Sequence, residues 1–131
     1  MRKTLRRHNG SEQYWRDRWD SIPIDTGELN FQNYPGKFAK LAINSKEDRV
    51  LEAGCGAGRV FIHYHKLGYN VVGIDYIESA IDKIRGGFPK ARVFQADITN
   101  LQFSDESFDV VLAFGLYHSL ESNDILLKLL L

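Results

Sequence analysis

The residues of this 131-residue chain that could do chemistry stand where its apolar segments end. The clearest case is a predicted strand over 49–53, which carries Glu52 and runs into a loop with glycine at every second position, Gly54, Gly56 and Gly58. Glycines let the backbone turn sharply and let a ligand lie against the main chain. A helix after such a loop directs free N–H groups toward that ligand. The Glu52 carboxylate suits a ligand with an ammonium group better than one with a pyrophosphate.

The second apolar segment, residues 70–75, ends in another carboxylate, Asp75. Asp75 follows Gly58 at close to the ~20-residue separation at which an acidic side chain meets a nucleotide ribose. A carboxylate can accept hydrogen bonds from both vicinal hydroxyls of a ribose. The alternative is that Asp75 caps the helix predicted over 77–85. We favour the ribose role because the residue directly follows a strand.

The third apolar segment, residues 92–97, ends in Asp97, with Ile98 directly after it. Asp97 could accept a hydrogen bond from an adenine amino group while the Ile98 amide donates to a ring nitrogen. The alternative is that Asp97 is a turn residue ahead of Thr99 and Asn100.

Four predicted strands position these side chains, and helices alternate with them. The strands cover residues 49–53, 70–75, 92–97 and 108–114, and the helices cover 11–19, a segment from Tyr34 that Asn44 ends, 59–67, 77–85 and a last segment from Ser122 or Asn123 to Leu131. This alternation predicts a mainly parallel sheet. The carboxyl ends of its strands meet at one edge, where open α/β sheets bind ligands.

Composition limits the function classes. The 17 basic and 17 acidic residues balance, so we expect neither nucleic acid nor a membrane as partner. The single cysteine, Cys55, excludes an internal disulfide and fits a cytoplasmic location. Cys55 is either a reactive thiol or, as we favour, a small residue that fills a tight turn. His63 and His65 would face different ways on a helix, which argues against a metal site.

The Glu-x-Gly-x-Gly-x-Gly pattern of residues 52–58, with Asp75 and Asp97 after the next two strands, resembles the class I S-adenosylmethionine-dependent methyltransferases, near the type 11 domains. The glycine loop alone would also fit an ordinary strand-to-helix turn. The resemblance covers about residues 12–125. It implies an α/β fold, a Rossmann-like three-layer sandwich around a mainly parallel sheet with strand order 3-2-1-4.

The resemblance also implies a cofactor, S-adenosyl-L-methionine, with S-adenosylhomocysteine as the product. Glu52 and the three loop glycines would surround its methionine part. Asp75, with Tyr76 beside it, would hold the ribose, and Asp97 with Ile98 would lie beside the adenine.

Further residues follow from the same resemblance. Phe114 and Gly115, at the end of the fourth strand, would lie near the sulfonium. Tyr14 and Trp19 would belong to an amino-terminal helix that packs on the domain or covers the cofactor. Methyl transfer by in-line displacement needs positioning and exclusion of water more than an acid or base, so we assign no catalytic residue.

Tyr117 and His118 stand at the same edge and could take a proton from the methyl acceptor, although a packing role is favoured. The predicted function is methyl transfer to a small-molecule acceptor. The alternative is a non-catalytic module that binds S-adenosylmethionine or associates with itself. A nicotinamide-dependent oxidoreductase is disfavoured by the glycine spacing.

The resemblance is to a family with a seven-stranded sheet, whereas this sequence ends soon after the fourth strand. Either the chain is a truncated form or a second copy covers the fourth strand. We expect a dimer or larger assembly through strand 108–114 and the leucine-rich segment Leu126–Leu131. The expected division is a mobile basic tail over 1–10, a helical cap over about 11–45 and a cofactor-binding part over about 46–131.

Overall fold

The computed structural model describes residues 13, 16–17, 20–21, 29, 31–32, 35–97, 100, 103 and 107–114. The predicted site is therefore described for the most part. Some predictions fall outside the described residues, and these concern Tyr14, Trp19, Ile98, Gly115, Tyr117, His118 and the last helix with Leu126–Leu131.

Three helices and four strands have their full bounds within the described residues, and residues 13, 16–17 and 20–21 are also helical. The strands are β1 (Val50–Ala53), β2 (Val71–Asp75), β3 (Val93–Gln95) and β4 (Val110–Leu112), and the helices are α1 (Gly36–Ala42), α2 (Arg59–Lys66) and α3 (Glu78–Gly87). All pairings are parallel and the strands lie in the order β3-β2-β1-β4. The predicted α/β class and the strand order 3-2-1-4 are thereby confirmed.

The predicted element boundaries differ from the observed ones at several ends. Helix α3 continues through Gly86 and Gly87, because the amide of Phe88 still donates to the carbonyl of Ile84. Strand β3 is only three residues long, and β4 is equally short. The apolar runs that predicted these strands continue into loops that also pack against the sheet.

The two faces of the sheet carry separate apolar clusters, as strand alternation requires. Val50 and Val71 pack with α2 and α3, where Phe61, Ile81 and Ile84 are fully buried. The opposite face carries the following residues: Leu51, Ala53, Val72, Ile74 and Phe108. Burial of each large apolar side chain contributes about 1.5–3 kcal/mol, so these clusters fix the sheet beneath the loops at its carboxyl edge.

Gly73 in β2 lets helix α2 lie close to the sheet. A Cβ atom at this position would lie 3.1 Å from a ring carbon of Phe61 and 3.2 Å from Sγ of Cys55. Glu52 is its register neighbour in β1. Because Gly73 has no side chain, α2 and the glycine loop can pack closely beside Glu52.

Polar contacts fix the strands at the opposite, amino edge. The Arg49 guanidinium binds the Asp109 carboxylate through Nε at 3.1 Å and Nη2 at 3.0 Å. This hydrogen-bonded pairing lowers the pKa of Asp109 to about 2. Arg92 donates to Asn70 at 2.9 Å between β3 and β2. No helix in the described part of the chain is both long and apolar enough to cross a membrane.

Candidate functional site

The glycine loop between β1 and α2 has a left-handed backbone at each of its glycines. Gly54, Gly56 and Gly58 have φ of 78°, 55° and 89°. The amides of Gly54 and Cys55 both donate to the carbonyl of Ile74, at 2.7 and 3.0 Å. The loop is thus tied to the end of the neighbouring strand β2.

Gly58 is the most constrained of these glycines. A Cβ atom there would lie 2.9 Å from Cδ1 of Ile62 and 3.0 Å from Cδ1 of Ile84. Its carbonyl accepts the first helical bond of α2, from the Ile62 amide at 2.7 Å. The N–H groups of the first helical turn have no acceptor within the helix, and the Phe61 amide binds the Glu52 carboxyl group.

Asp75 connects the glycine loop to the start of α3. Its Oδ2 accepts from the Gly56 amide at 2.9 Å, and its Oδ1 accepts from the Ile77 amide at 2.9 Å. The bond to Ile77 closes a local turn ahead of α3, and the N-cap of α3 is Ile77, which makes no side-chain cap bond, so the structure does not show the helix-capping alternative. The bond from Gly56 was not predicted. A carboxylate has about four lone-pair sites, so Asp75 can still accept from a ribose hydroxyl beside its backbone amide partners.

Burial raises the pKa of Asp75, while the amides of Ile77, Gly56 and Tyr76 act in the opposite direction. The side chain lies at the carboxyl end of β2, and only 9% of the residue is exposed. It therefore forms the floor of the site rather than its rim.

Glu52 lies beside Asp75 and is still more deeply buried, with 4% of the residue exposed. Its Oε1 has no hydrogen-bond partner among the described residues. The amide of Phe61 in the first turn of α2 binds the carboxyl group. Burial, with a smaller contribution from Asp75, raises the pKa of Glu52 to about 8, although the hydrogen bond from the Phe61 amide acts to lower it.

A buried acceptor without a partner is unfavourable and calls for a donor. The unpaired Glu52 Oε1 beside the glycine loop thus fits the ammonium group of an amino-acid ligand. This is the ligand feature that the methionine part of S-adenosylmethionine would bring.

Cys55 packs inside the loop with 6% of the residue exposed. Burial and the carboxyl groups of Glu52 and Asp75 raise the pKa of its thiol well above the usual value. Such a thiol is a weak nucleophile. The structure supports the space-filling role over the reactive one.

The rim of the site is formed after β2 and β3. Tyr76 is 46% exposed, and its carbonyl accepts from Nε2 of Gln95 at 3.0 Å. Asp97 is exposed, and its carbonyl accepts from the amide of Asn100 at 2.9 Å, which forms a turn. Gln95 was missed at the sequence level, although its position two residues before Asp97 at the same strand end was a usable signal.

Phe114 follows β4 and packs against the apolar cluster of the α2 face. The structure thus brings Glu52, the glycine loop and Asp75 together, with Tyr76 and Asp97 at the carboxyl ends of the next strands. No group of three or more potential metal ligands occurs within the described ranges. His63 and His65 instead make ring contacts, His63 with Phe31 and His65 with Phe61.

A parallel α/β sheet with an acidic, glycine-rich loop at its carboxyl edge is the arrangement at which open α/β folds bind nucleotides. Comparison with protein families gives the particular class. The methyltransferase domain family matches residues 50–129, which is more than half of the chain. The chain belongs to the methyltransferase domain family.

Two relatives illustrate the sequence similarity. A probable S-adenosylmethionine-dependent methyltransferase of Mycobacterium tuberculosis is 33% identical over 95 residues, which cover 72% of this chain and 35% of that protein. An uncharacterized methyltransferase of Schizosaccharomyces pombe is 34% identical over 88 residues, 64% of this chain and 61% of that protein. The chain therefore spans about a third to three fifths of the length of these relatives. The predicted cofactor, S-adenosylmethionine, is the one named in the description of the first relative.

Two solved structures share the fold. One comes from a study of the conversion of a disulfide bond into a thioacetal group during echinomycin biosynthesis, with TM-score 0.67, 29% identity and coverage of 90% of this chain and 55% of that chain. The other is phosphoethanolamine N-methyltransferase 1 of Haemonchus contortus, in complex with phosphoethanolamine and S-adenosylhomocysteine. Its TM-score is 0.67 at 20% identity, over 98% of this chain and 29% of that chain, which shows a shared fold.

Proposed function

We propose that this chain binds S-adenosylmethionine at the carboxyl edge of its sheet and transfers the methyl group to a small-molecule acceptor. The observation that carries the proposal is the buried, unpaired Oε1 of Glu52 beside the glycine loop. Membership of the methyltransferase domain family supports the cofactor class. The balance of 17 basic and 17 acidic residues supports a small acceptor over a nucleic acid.

Each part of the site has a separate binding role in this proposal. Glu52 accepts from the cofactor ammonium, and the glycine loop lies along the methionine part. Asp75 accepts from the ribose through lone-pair capacity that its backbone amide partners leave free. Asp97 and Ile98 border the adenine, with Tyr76 at the rim.

S-adenosylmethionine, when bound, supplies a methyl group activated by a positively charged sulfur. The protein's contribution is then to hold the ligand and the acceptor in line and to exclude water. Phe114, half-buried after β4, is proposed to line the reacting end. No described side chain needs to act as acid or base for a nucleophilic acceptor.

A second candidate is a module that binds the cofactor or associates with itself without turnover. Self-association through strand 108–114 and Leu126–Leu131 belongs to this candidate and stays a prediction. A cytoplasmic location also stays a proposal, supported by the buried free thiol of Cys55.

Calorimetric titration with S-adenosylhomocysteine tests the cofactor site. The unmodified chain should bind, and Asp75→Ala should lose at least about tenfold in affinity because ribose acceptors are removed. The matched control is Asp109→Ala, which removes an exposed carboxylate at the amino edge and should leave binding unchanged. Equal affinity in Asp75→Ala and the unmodified chain would contradict the assigned role of Asp75.

Methyl transfer from labelled S-adenosylmethionine to a panel of small acceptors separates the two candidates. Label on any acceptor, lost in Asp75→Ala, supports the methyltransferase. Tight cofactor binding with no label transferred would favour the binding module.

A further inference from the structure

Two buried carboxyl groups lie diagonally across neighbouring strands in the floor of the site. Glu52 pairs in register with Gly73, and Asp75 lies two residues further along β2, on the same face of the sheet. Only 4% of Glu52 and 9% of Asp75 are exposed. Two neighbouring buried carboxylates cannot both ionise without a large penalty.

The surroundings of this pair supply hydrogen bonds but little compensating charge. The loop contributes the Gly56 amide to Asp75 and the Cys55 thiol, which burial and the two carboxyl groups keep protonated. Helix α2 contributes the Phe61 amide to Glu52. Strand β4 (Val110–Leu112) carries no titratable side chain.

Most of the titratable side chains on the neighbouring helices lie at or near the surface. On α2 Arg59 and Lys66 are exposed and His63 and His65 are half-buried, and on α3 Glu78, Asp82 and Arg85 are exposed. The Arg85 guanidinium donates to the carbonyl of Val93 at the edge strand. The remaining titratable side chains of these two helices are Tyr64 on α2, which is buried, and Lys83 on α3, which is half-buried.

We propose that the Glu52–Asp75 pair holds a proton in the cofactor-free protein and releases it when the cofactor ammonium binds, so that cofactor affinity rises with pH. This inference rests on the proposed function. The geometric basis is the unpaired Oε1 of Glu52, which has no internal donor among the described residues. An arriving ammonium supplies both the donor and the positive charge that the pair lacks.

The exchange balances in protons and charge. The O–H bond of the carboxyl group breaks, its proton passes to solvent or buffer, and the carboxylate formed accepts from the ammonium. The net charge of the complex is then lower by one than the sum of its separate parts. By linkage, affinity rises by at most about tenfold per pH unit while the free pair is protonated, and levels off above the raised Glu52 pKa of about 8.

Calorimetric titration with S-adenosylhomocysteine in two buffers of different ionisation enthalpy measures the protons released directly. At a pH below the raised Glu52 pKa, we expect release of close to one proton per ligand bound. A ligand without the amino-acid group, 5′-methylthioadenosine, should bind without this release. Asp109→Asn is the matched control and should keep the full release.

Glu52→Gln gives the sharpest comparison because glutamine matches the shape of a protonated glutamate. The affinity of this variant for S-adenosylhomocysteine should not change with pH. It should therefore equal that of the unmodified chain at low pH and fall progressively behind it as pH rises. Binding of S-adenosylhomocysteine by the unmodified chain without proton release would overturn the inference and leave the proposed function intact, whereas no binding at any pH would overturn both.

Discussion

Glu52 is a carboxyl group whose burial is set by its neighbours. Its raised pKa of about 8 comes first from burial under α2 and second from Asp75. The reference value is 4.5, so folding takes up a proton at any pH between the two values. The proposed ammonium site is thus a point of reduced stability in the cofactor-free protein.

The stability of the cofactor-free protein should therefore depend on pH through Glu52. Below pH 4.5 both the folded and the unfolded chain hold the proton, whereas between 4.5 and about 8 only the folded chain does. The free energy of unfolding should fall across this interval by on the order of 3–5 kcal/mol.

Urea unfolding at a series of pH values measures this dependence. Glu52→Gln should flatten the fall, because an amide has no proton to lose, and should be more stable than the unmodified chain near the upper end. Parallel pH curves for the two proteins would rule out a protonated Glu52 in the folded state.

At the scale of the elements, the glycine loop and the sheet beneath it were largely predictable. Alternating glycines at 54, 56 and 58 indicated a tight turn, and all three have positive φ. The bond from the Gly56 amide to Asp75 was not predictable, since it depends on how β1 and β2 are paired. Neither was the depth of Glu52, which depends on the close approach of α2 over Gly73.

Gly58→Ala should destabilise the protein by about 2–4 kcal/mol. Alanine is strained at a φ of 89°, and its Cβ would meet Ile62 and Ile84 at 2.9 and 3.0 Å. Gly86→Ala is the matched control, because a Cβ at this helical glycine would meet nothing within 4 Å beyond its own helix. This substitution should add about 0.5–1 kcal/mol of stability. Thermal or urea unfolding compares the two, and equal stabilities would show that the turn tolerates a side chain.

At the scale of the whole molecule, the two edges of the sheet have different tasks. The amino edge is held by the exposed pairing of Arg49 with Asp109. Glu52, Asp75 and the glycine loop lie at the carboxyl edge, and apolar clusters on both faces of the sheet stabilise the strands that carry them. A parallel sheet follows from the alternation of strands and helices, which is why the placement of the site at the carboxyl edge was predictable. Self-association through strand 108–114 stays a prediction.

The most direct test of the cofactor site is a map of backbone amide chemical shifts by nuclear magnetic resonance during addition of S-adenosylhomocysteine. The largest changes should fall on Gly54, Gly56 and Tyr76 at the carboxyl edge. The chemical shifts of the Arg49 and Asp109 amides at the amino edge should not change. Changes centred on the amino edge, or none at saturating ligand, would contradict a cofactor site at the glycine loop.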